Sequence, residues 1–279
     1  MSAATVAGAG ARLRDAADSW RRVRAIARRH AYVLRRSPHR LFDVTIWPLV
    51  DVLLFGSLGV FVAHHGGTKS IAFAYLLSGI VLWHVVYQSQ IALSTGLLEE
   101  TWSRNLLNLM VTPMSELEYV LGVVLFGMVK LAMGVGVVVL TALAFYAFNA
   151  SSMGWEVLPV AAVLLTVGWV IALFVIGIVL RFGSGAEALA WGILFIVLPL
   201  SGVFYPVQAL PGVLRPIALA LPTTHAFVAG RALLVHRGLE WGQLGIAAAC
   251  TLVLLVASVV FVVAMLSLFR RRGYITRYS

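Results

Sequence analysis

The stretch VLPVAAVLLTVGWVIALFVIGIVL, residues 157–180, is an apolar run of 24 residues without a charged side chain. A helix of about 20 such residues is long enough to cross the hydrocarbon core of a bilayer. Five further apolar runs of comparable length lie on either side of it, at about 44–63, 70–97, 119–148, 187–206 and 243–269. The sequence therefore predicts an all-α membrane protein with six transmembrane helices.

The composition of the whole chain agrees with this prediction. Of its 279 residues, 61% are hydrophobic and 11% are charged, and the mean hydropathy is +0.96. Soluble domains contain about 25% charged residues, so a soluble fold of this composition would be unable to cover its own surface. The single cysteine, Cys250, lies in an apolar run, which excludes a disulfide framework within one chain.

The basic residues are unevenly distributed, and their distribution predicts the orientation. With the N-terminus inside, the cytoplasmic segments 1–42, 98–118, 181–187 and 270–279 carry 16 of the 21 Lys and Arg residues, and the outside loops carry four. Cytoplasmic loops of membrane proteins have an excess of Lys and Arg. We therefore predict a plasma (inner) membrane protein with both termini in the cytoplasm.

This orientation divides the chain into a cytoplasmic N-terminal tail (1–42), a six-span domain (43–269) and a cytoplasmic basic tail (270–279). We predict that the basic ends face anionic membrane lipid. A nucleic-acid partner is not expected, because the basic segment contains only two aromatic residues, Trp20 and Tyr32, between its arginines.

Residues 20–36, WRRVRAIARRHAYVLRR, have the pattern of an amphipathic helix. Arginines recur at seven-residue spacing, and Val23, Ile26 and Leu34 form part of an apolar stripe. We predict a helix on the inner leaflet, with a solvated basic tail as the alternative. The candidate interface residues are Arg21, Arg22, Arg28 and Arg29.

The segment 204–238 is apolar but contains four prolines, so it is too interrupted to span the membrane. We predict two short re-entrant helices that dip into the outer leaflet within about 206–237. The second should follow Pro222 and have Thr223 or Thr224 as its N-cap.

The stretch WSRNLLNLMVTPMSELEYVLG, residues 102–122, is a compact polar segment between the second and third spans. It predicts a short helix with a leucine-rich surface that Pro113 ends. Ser115 is predicted to cap the third span, with acidic residues in its first turn. From the residues alone, two interpretations remain open: the short helix docks into another protein, or it lies flat on the membrane.

Three separated motifs resemble the permease subunits of ABC exporters of the ABC-2 superfamily. They are the stretch 102–122, RRSPHRLFDVTIWPLVDVLLFGSLG at 35–59, and LPLSGVFYPVQALPGVLRPIALALPTTHAFVAGRALL at 198–234. The resemblance covers nearly the whole chain. It implies that residues 20–36 form an interface helix, that about 101–112 form a coupling helix, and that the re-entrant segment forms an outer gate.

The resemblance also implies the residues of these sites. The coupling helix would press on a nucleotide-binding subunit through Trp102, Arg104, Asn105, Leu106, Leu109, Met110, Thr112 and Pro113. The outer gate would contain Phe204, Tyr205, Pro206 and Pro211.

The chain has no ATPase motif of its own. Its only lysines, Lys69 and Lys130, do not follow the glycines of a G-x-x-x-x-G-K-[ST] loop. We therefore expect no catalytic residue, metal or cofactor on this chain, and ATP and Mg²⁺ on a partner ATPase subunit.

The resemblance implies an exporter of a hydrophobic or amphiphilic substrate (a drug, lipid or lipid-linked glycan), with a second permease copy, most simply as a homodimer.

Asp51, His84 and Lys130 are ionisable residues at similar depth in three predicted spans. A charge at mid-bilayer costs about 2.5–3.5 kcal/mol on insertion scales, so these residues should face protein or water. We hypothesise that Asp51 pairs with Lys130 near His84, and that Tyr87 and Gln88 extend the polar path. An ion-coupled secondary transporter or channel that uses the three ionisable residues is the alternative function.

Overall fold

The computed structural model describes residues 3–65, 71–102, 115–183, 188–234 and 238–271, and these ranges are almost entirely helical. The helices are α1 (Ala3–Arg36), α2 (Pro38–His65), α3 (Ile71–Trp102), α4 (Glu116–Tyr146), α5 (Val157–Phe182), α6 (Ala188–Leu200), α7 (Arg215–Ala220), α8 (Pro222–Leu234) and α9 (Trp241–Arg271). Single 3₁₀ turns lie at Ala150–Met153 and Val207–Ala209. The predicted all-α class is confirmed.

Five of the described helices are long and apolar enough to cross a membrane. The candidate spans are Pro38–His64, Phe73–Gly96, Glu118–Tyr146, Val157–Phe182 and Trp241–Met265, which lie in α2, α3, α4, α5 and α9. They match the first four predicted spans and the sixth. The chain is therefore a multi-pass membrane protein.

The fifth predicted span, 187–206, is different in the structure. The helix at this place, α6, has 13 residues and is about 20 Å long at 1.5 Å per residue. The chain turns after Leu200, where Gly202 has a φ of 65°, a left-handed conformation that favours glycine. The high hydropathy of the run gave no indication that the helix ends there. A sixth span stays a prediction.

The helix α3 lies at the centre of the bundle and packs against α2, α4 and α5. In its most apolar window, 83% of the residues are buried, compared with 22% for α4 and α9. Small residues allow this close packing. At Gly168 of α5, a Cβ would overlap the Ser89 hydroxyl of α3.

The amphipathic helix predicted at 20–36 is present within α1, which begins earlier, at Ala3. Its apolar stripe is buried, with Val23, Ile26 and Leu34 all less than 10% exposed. The stripe packs on α4, and near its end also on α2, where Leu34 clusters with Val44 and Phe126. The periodicity thus predicted the buried face correctly, but protein covers much of that face.

The two short helices predicted within 206–237 correspond to α7 and α8, and α8 packs on α9 and α5. The predicted cap is wrong. Helix α8 begins at Pro222, so Thr223 and Thr224 lie inside its first turn. The Thr223 hydroxyl is 2.6 Å from that of Ser201, and the Thr224 hydroxyl donates to the carbonyl of Ala218, so the two hydroxyls connect α8 to the turn after α6 and to α7.

Candidate functional site

A charged contact joins α1 to the beginning of α4. Arg22 Nε donates to Glu118 Oε2 at 2.9 Å, and Arg22 Nη2 donates to Glu118 Oε1 at 2.7 Å. Such two-point contacts between guanidinium and carboxylate are short and fix the relative orientation of both groups. The Glu118 side chain is only 9% exposed, so α1 covers the carboxylate.

Glu118 also closes the first turn of α4. The backbone N–H of Glu118 donates to the Ser115 hydroxyl at 3.2 Å, and the N–H of Ser115 donates to Glu118 Oε2 at 3.0 Å. This reciprocal arrangement is a capping box, and it confirms the predicted N-cap. One carboxylate therefore ties α1 to the residue that directly follows 103–114. We call Arg22, Ser115 and Glu118 the α1–α4 junction.

A glycine keeps the two helices close one turn beyond this junction. A Cβ at Gly122 would overlap the side chain of Ile26 and would lie 3.0 Å from the carbonyl oxygen of Val23. Further along, the rings of His30 and Phe126 stack with their centroids 5.5 Å apart. These contacts make α1 and the first half of α4 one packed unit.

The ends of α3 and α4 are also held together. The Tyr119 hydroxyl donates to the carbonyl oxygen of Gly96 at 3.3 Å, and a Cβ at Gly96 would overlap the side chain of Val123. The segment 103–114 therefore connects two helices whose neighbouring turns are in contact.

Most of the predicted coupling residues lie outside the described residues. Trp102 is the last residue of α3. The other seven, Arg104, Asn105, Leu106, Leu109, Met110, Thr112 and Pro113, belong to the segment 103–114. Of the predicted interface residues, Arg22 lies in the α1–α4 junction, Arg21 contacts Asp18 at 3.0 Å, and Arg28 and Arg29 are exposed.

A second polar contact lies inside the bundle, between Asp51 of α2 and His84 of α3. Asp51 Oδ2 is 3.5 Å from His84 Nε2, and His84 is 1% exposed. His84 Nδ1 is 3.0 Å from the carbonyl oxygen of Ile80, which can only accept a hydrogen bond, so Nδ1 carries the proton. A further proton, on Nε2 or on the carboxyl group, is needed for the two facing atoms to attract each other.

The structure places the remaining predicted polar residues around this contact. The ring centroids of Tyr87 and His84 are 5.8 Å apart. Gln88 is 1% exposed, and its amide fills the space above Gly134 of α4. The polar residues of α3 are thus enclosed by neighbouring helices. The pairing of Asp51 with Lys130 stays a prediction.

A third cluster joins α8 to α3 and to the turn after α6. Arg231 Nη2 donates to the carbonyl oxygen of Val203 at 2.5 Å, and the guanidinium carbon lies 3.6 Å from the centre of the Tyr75 ring. A cation over an aromatic face is attracted by the ring quadrupole, more strongly where water is excluded. Burial lowers the pKa of Arg231 to about 10, so the guanidinium remains charged at neutral pH.

The same turn is pressed against two other helices. A Cβ at Gly79 of α3 would overlap the carbonyl oxygen of Val203, and the Phe204 ring stacks on Phe55 of α2 with centroids 3.9 Å apart. Of the other predicted gate residues, Tyr205 donates to the carbonyl of Pro199 at 3.0 Å, and Pro206 and Pro211 are exposed.

Sequence reasoning missed Arg231 as a site residue and counted it only as a loop charge. A signal was present, because Arg231 is the single charged residue of Pro222–Leu234. An isolated charge in an apolar segment that borders a membrane is expected to have a defined partner. The pairing of Arg22 with Glu118 had no such signal, since the two residues are 96 positions apart.

Comparison with known protein families gives a match over most of the chain. The sequence profile described as "ABC-2 type transporter" matches residues 19–235. No curated protein gave a match. Permeases of this family normally work with an ABC ATPase partner. The chain therefore belongs to the ABC-2 type transporter family and is a membrane permease subunit of an ABC transporter, not the ATPase itself.

Proposed function

We propose that this permease exports a hydrophobic or amphiphilic substrate, such as a drug, a lipid or a lipid-linked glycan, across the plasma membrane. A separate nucleotide-binding subunit would bind ATP and Mg²⁺ and supply the energy. The observation that carries the proposal is the α1–α4 junction, which lies directly after the segment 103–114. That segment contains the predicted coupling residues.

The contacts around this segment support a coupling role. The helices before and after it are joined by the contact between Tyr119 and Gly96, and Ser115, the residue that follows it, is hydrogen-bonded to Glu118. A push on such a segment would reach α3 and α4 together, and through Arg22 it would reach α1. Residues 101–112 would thus act as the coupling helix and residues 20–36 as the interface helix.

A second copy of the permease would complete the transport path. The helices α2, α4 and α9 keep large apolar side chains exposed along their length, for example Leu54, Leu140 and Val253. Lipid and a second chain are the two apolar surroundings that fit such surfaces. We propose a homodimer with both termini in the cytoplasm, in keeping with the distribution of basic residues.

The outer end of the path would be closed by the turn after α6. Phe204 packs on α2, and Val203 packs on α3 and accepts a hydrogen bond from Arg231 of α8. These contacts link the predicted re-entrant segment to two spans. Opening the gate would require the stack of Phe55 and Phe204 to separate.

The test is co-purification and ATP hydrolysis. The permease is expressed with candidate ABC ATPases of the same cell, beginning with any that is encoded beside it, and ATPase activity is measured in nanodiscs. We expect a stable complex, and we expect the variant Leu106→Arg plus Leu109→Arg to lose assembly or at least 10-fold of the substrate-stimulated activity. The matched control, Trp155→Arg plus Trp241→Arg, adds the same charge at two exposed positions that are predicted to lie outside the membrane and outside the re-entrant segment.

The contact between Asp51 and His84 favours one alternative, an ion-coupled transporter or channel, because the pair has the chemistry of a proton-holding site. If no ATPase binds, and a protonophore stops transport by the permease alone, this alternative replaces the exporter proposal.

A further inference from the structure

An open groove runs between α1 and α4 beside the buried stripe of α1, because Ala27 and Phe126, which pack with Leu34 of the stripe, also line the groove. Its volume is about 770 Å³. One wall consists of α1 residues, with the arginines Arg21, Arg24 and Arg28 at its rim and the small residues Ala25, Ala27 and Ala31 between them. The other wall consists of Leu125, Phe126 and Val129 of α4.

One of the three rim arginines has an acidic partner among the described residues. Arg21 contacts Asp18. In the part of the chain that the structure describes, neither Arg24 nor Arg28 has an acidic side chain within ion-pair distance, and both are exposed. Two guanidinium groups one helical turn apart therefore face the same open groove.

The apolar wall belongs to a membrane-spanning helix. Leu125 and Val129 lie within the candidate span Glu118–Tyr146, seven and eleven residues after its first residue. At 1.5 Å per residue, they are about 10 and 16 Å along the helix axis from Glu118. A molecule that fills this groove must therefore present negative charge at the rim and a hydrocarbon chain along the α4 wall.

The α1–α4 junction keeps the groove open. The bidentate contact of Arg22 with Glu118 and the close approach at Gly122 fix the distance between the two helices. The small side chains of Ala27 and Ala31 leave space at the groove floor. The groove is thus a consequence of packing that does not depend on a ligand.

We infer that this groove is a binding site for one anionic phospholipid of the surrounding leaflet. Arg24 and Arg28 bind the phosphate-containing headgroup, and an acyl chain lies along Leu125 and Val129. Arginine is suited to this role because its planar donors bind phosphate oxygens and its aliphatic stem packs on apolar surface. The inference deepens the proposed function by defining a lipid partner, and it rests on the basic face of α1 lying at an anionic leaflet.

The test measures lipid binding directly, without an ATPase and without transport, so that its failure is separate from failure of the exporter proposal. The full-length permease, purified in detergent, is titrated with phosphatidylglycerol or with phosphatidylcholine, and bound lipid is counted by native mass spectrometry. We expect one phosphatidylglycerol to bind at concentrations where phosphatidylcholine does not.

Two charge-matched variants test the position of the site. We expect Arg24→Gln plus Arg28→Gln to bind phosphatidylglycerol about 30-fold more weakly, since each arginine near an anionic lipid contributes about fivefold. The control, Arg35→Gln plus Arg36→Gln, removes the same charge from the same helix and should change binding less than threefold. Equal weakening by both pairs would indicate a diffuse basic surface and would overturn the proposal.

Two further variants separate charge, shape and folding. Arg24→Lys plus Arg28→Lys keeps the charge and should retain at least a tenth of the affinity, even if the glutamine variant folds poorly. Ala31→Phe keeps every charge but occupies the groove, and it should weaken binding at least fivefold. If Ala31→Phe binds phosphatidylglycerol as wild type does, or if the glutamine pair leaves lipid binding unchanged, the groove is not a lipid site.

Discussion

Arg22 and Glu118 are 96 positions apart in sequence, and their side chains form two hydrogen bonds of 2.9 and 2.7 Å between α1 and α4. The same Glu118 carboxylate accepts the N–H of Ser115. Packing of its hydrophobic stripe holds α1 against α4. The ion pair is directional, so it also fixes the position of α1 along α4.

The first prediction concerns this ion pair. Arg22→Met and Glu118→Gln should each lower the unfolding temperature by about 2–4 °C, because each leaves one charged or polar partner without its contact. Gln retains the capping box, so the α4 N-terminus is preserved. The double variant should be no less stable than the worse single variant, as measured by thermal unfolding in detergent.

The neighbouring arginine provides the control for this cycle. Arg21 contacts Asp18 only three positions away, and both side chains are exposed. Exposed pairs of this kind contribute little to stability, so Arg21→Met should leave the unfolding temperature within 1 °C. Additive losses in the Arg22 and Glu118 double variant would show that the two residues act independently.

The second prediction concerns glycines at close helix contacts. Gly79→Ala and Gly168→Ala place a Cβ against the backbone carbonyls of Val203 and Val86. Backbone atoms move less readily than flexible side chains, so each variant should lose about 1–3 kcal/mol of stability. Thermal unfolding and the yield of monodisperse protein measure this loss.

Gly136 and Gly245 are matched controls, because among the described residues a Cβ at either position meets no atom within 4 Å beyond its own turn of helix. Both lie inside helices, where alanine is favoured over glycine by about 0.5–1 kcal/mol. Alanine at these two positions should therefore be neutral or slightly stabilising in the same assay. Similar losses at all four positions would contradict the packing described for α3.

The third prediction concerns Arg231. Arg231→Met removes the hydrogen bond to the Val203 carbonyl and the contact with the Tyr75 ring, and it should cost about 1–3 kcal/mol. Arg231→Lys should rescue less than half of the loss, since an ammonium group lacks the planar fork of a guanidinium. The unfolding temperature in detergent provides the measurement.

A second arginine allows comparison with an exposed cation. Arg181 lies 5.4 Å from the centre of the Phe182 ring, and both residues are exposed. Arg181→Met should change the unfolding temperature by less than 1 °C. An effect as large as that of Arg231→Met would mean that burial of the Arg231 contact is unimportant.

The fourth prediction separates the two proposed functions at Asp51 and His84. In an ATP-driven exporter, Asp51→Asn should leave substrate-stimulated ATP hydrolysis within about threefold of wild type, because the amide still fits beside His84 Nε2. In an ion-coupled transporter the same variant should abolish transport and its dependence on a proton gradient. Substrate uptake into inverted vesicles, with and without a protonophore, distinguishes the two outcomes.

Hydropathy was sufficient to predict most of the fold. The predicted span 157–180 corresponds to the helix Val157–Phe182, because a long uncharged segment in lipid must satisfy its backbone hydrogen bonds internally. The same measure did not predict the end of α6 within 187–206, which Pro199 and the left-handed Gly202 accompany. Average hydropathy does not register backbone conformation.

The candidate site was less predictable than the fold. Periodicity identified Val23, Ile26 and Leu34 as a buried stripe, but it carries no information about which surface covers the stripe. Equal depth predicted Asp51 and Lys130 as a pair with His84 nearby; the structure places Asp51 beside His84, and the pairing with Lys130 stays a prediction. Depth along a helix is readable from sequence, but rotation around the helix axis is set by tertiary packing.

The glycine contacts of α3 have a mechanical consequence. Four glycine contacts, at Gly79, Gly96, Gly134 and Gly168, interlock this helix with α4, with α5 and with the turn after α6. A helix held on several sides cannot rotate about its own axis without separating all of these surfaces at once. In the proposed homodimer, the bundle around α3 should therefore move as a rigid body, and alternating access would arise from rocking between whole subunits. Distances inside each subunit would stay nearly constant through the cycle, except at the stack of Phe55 and Phe204 in the proposed gate.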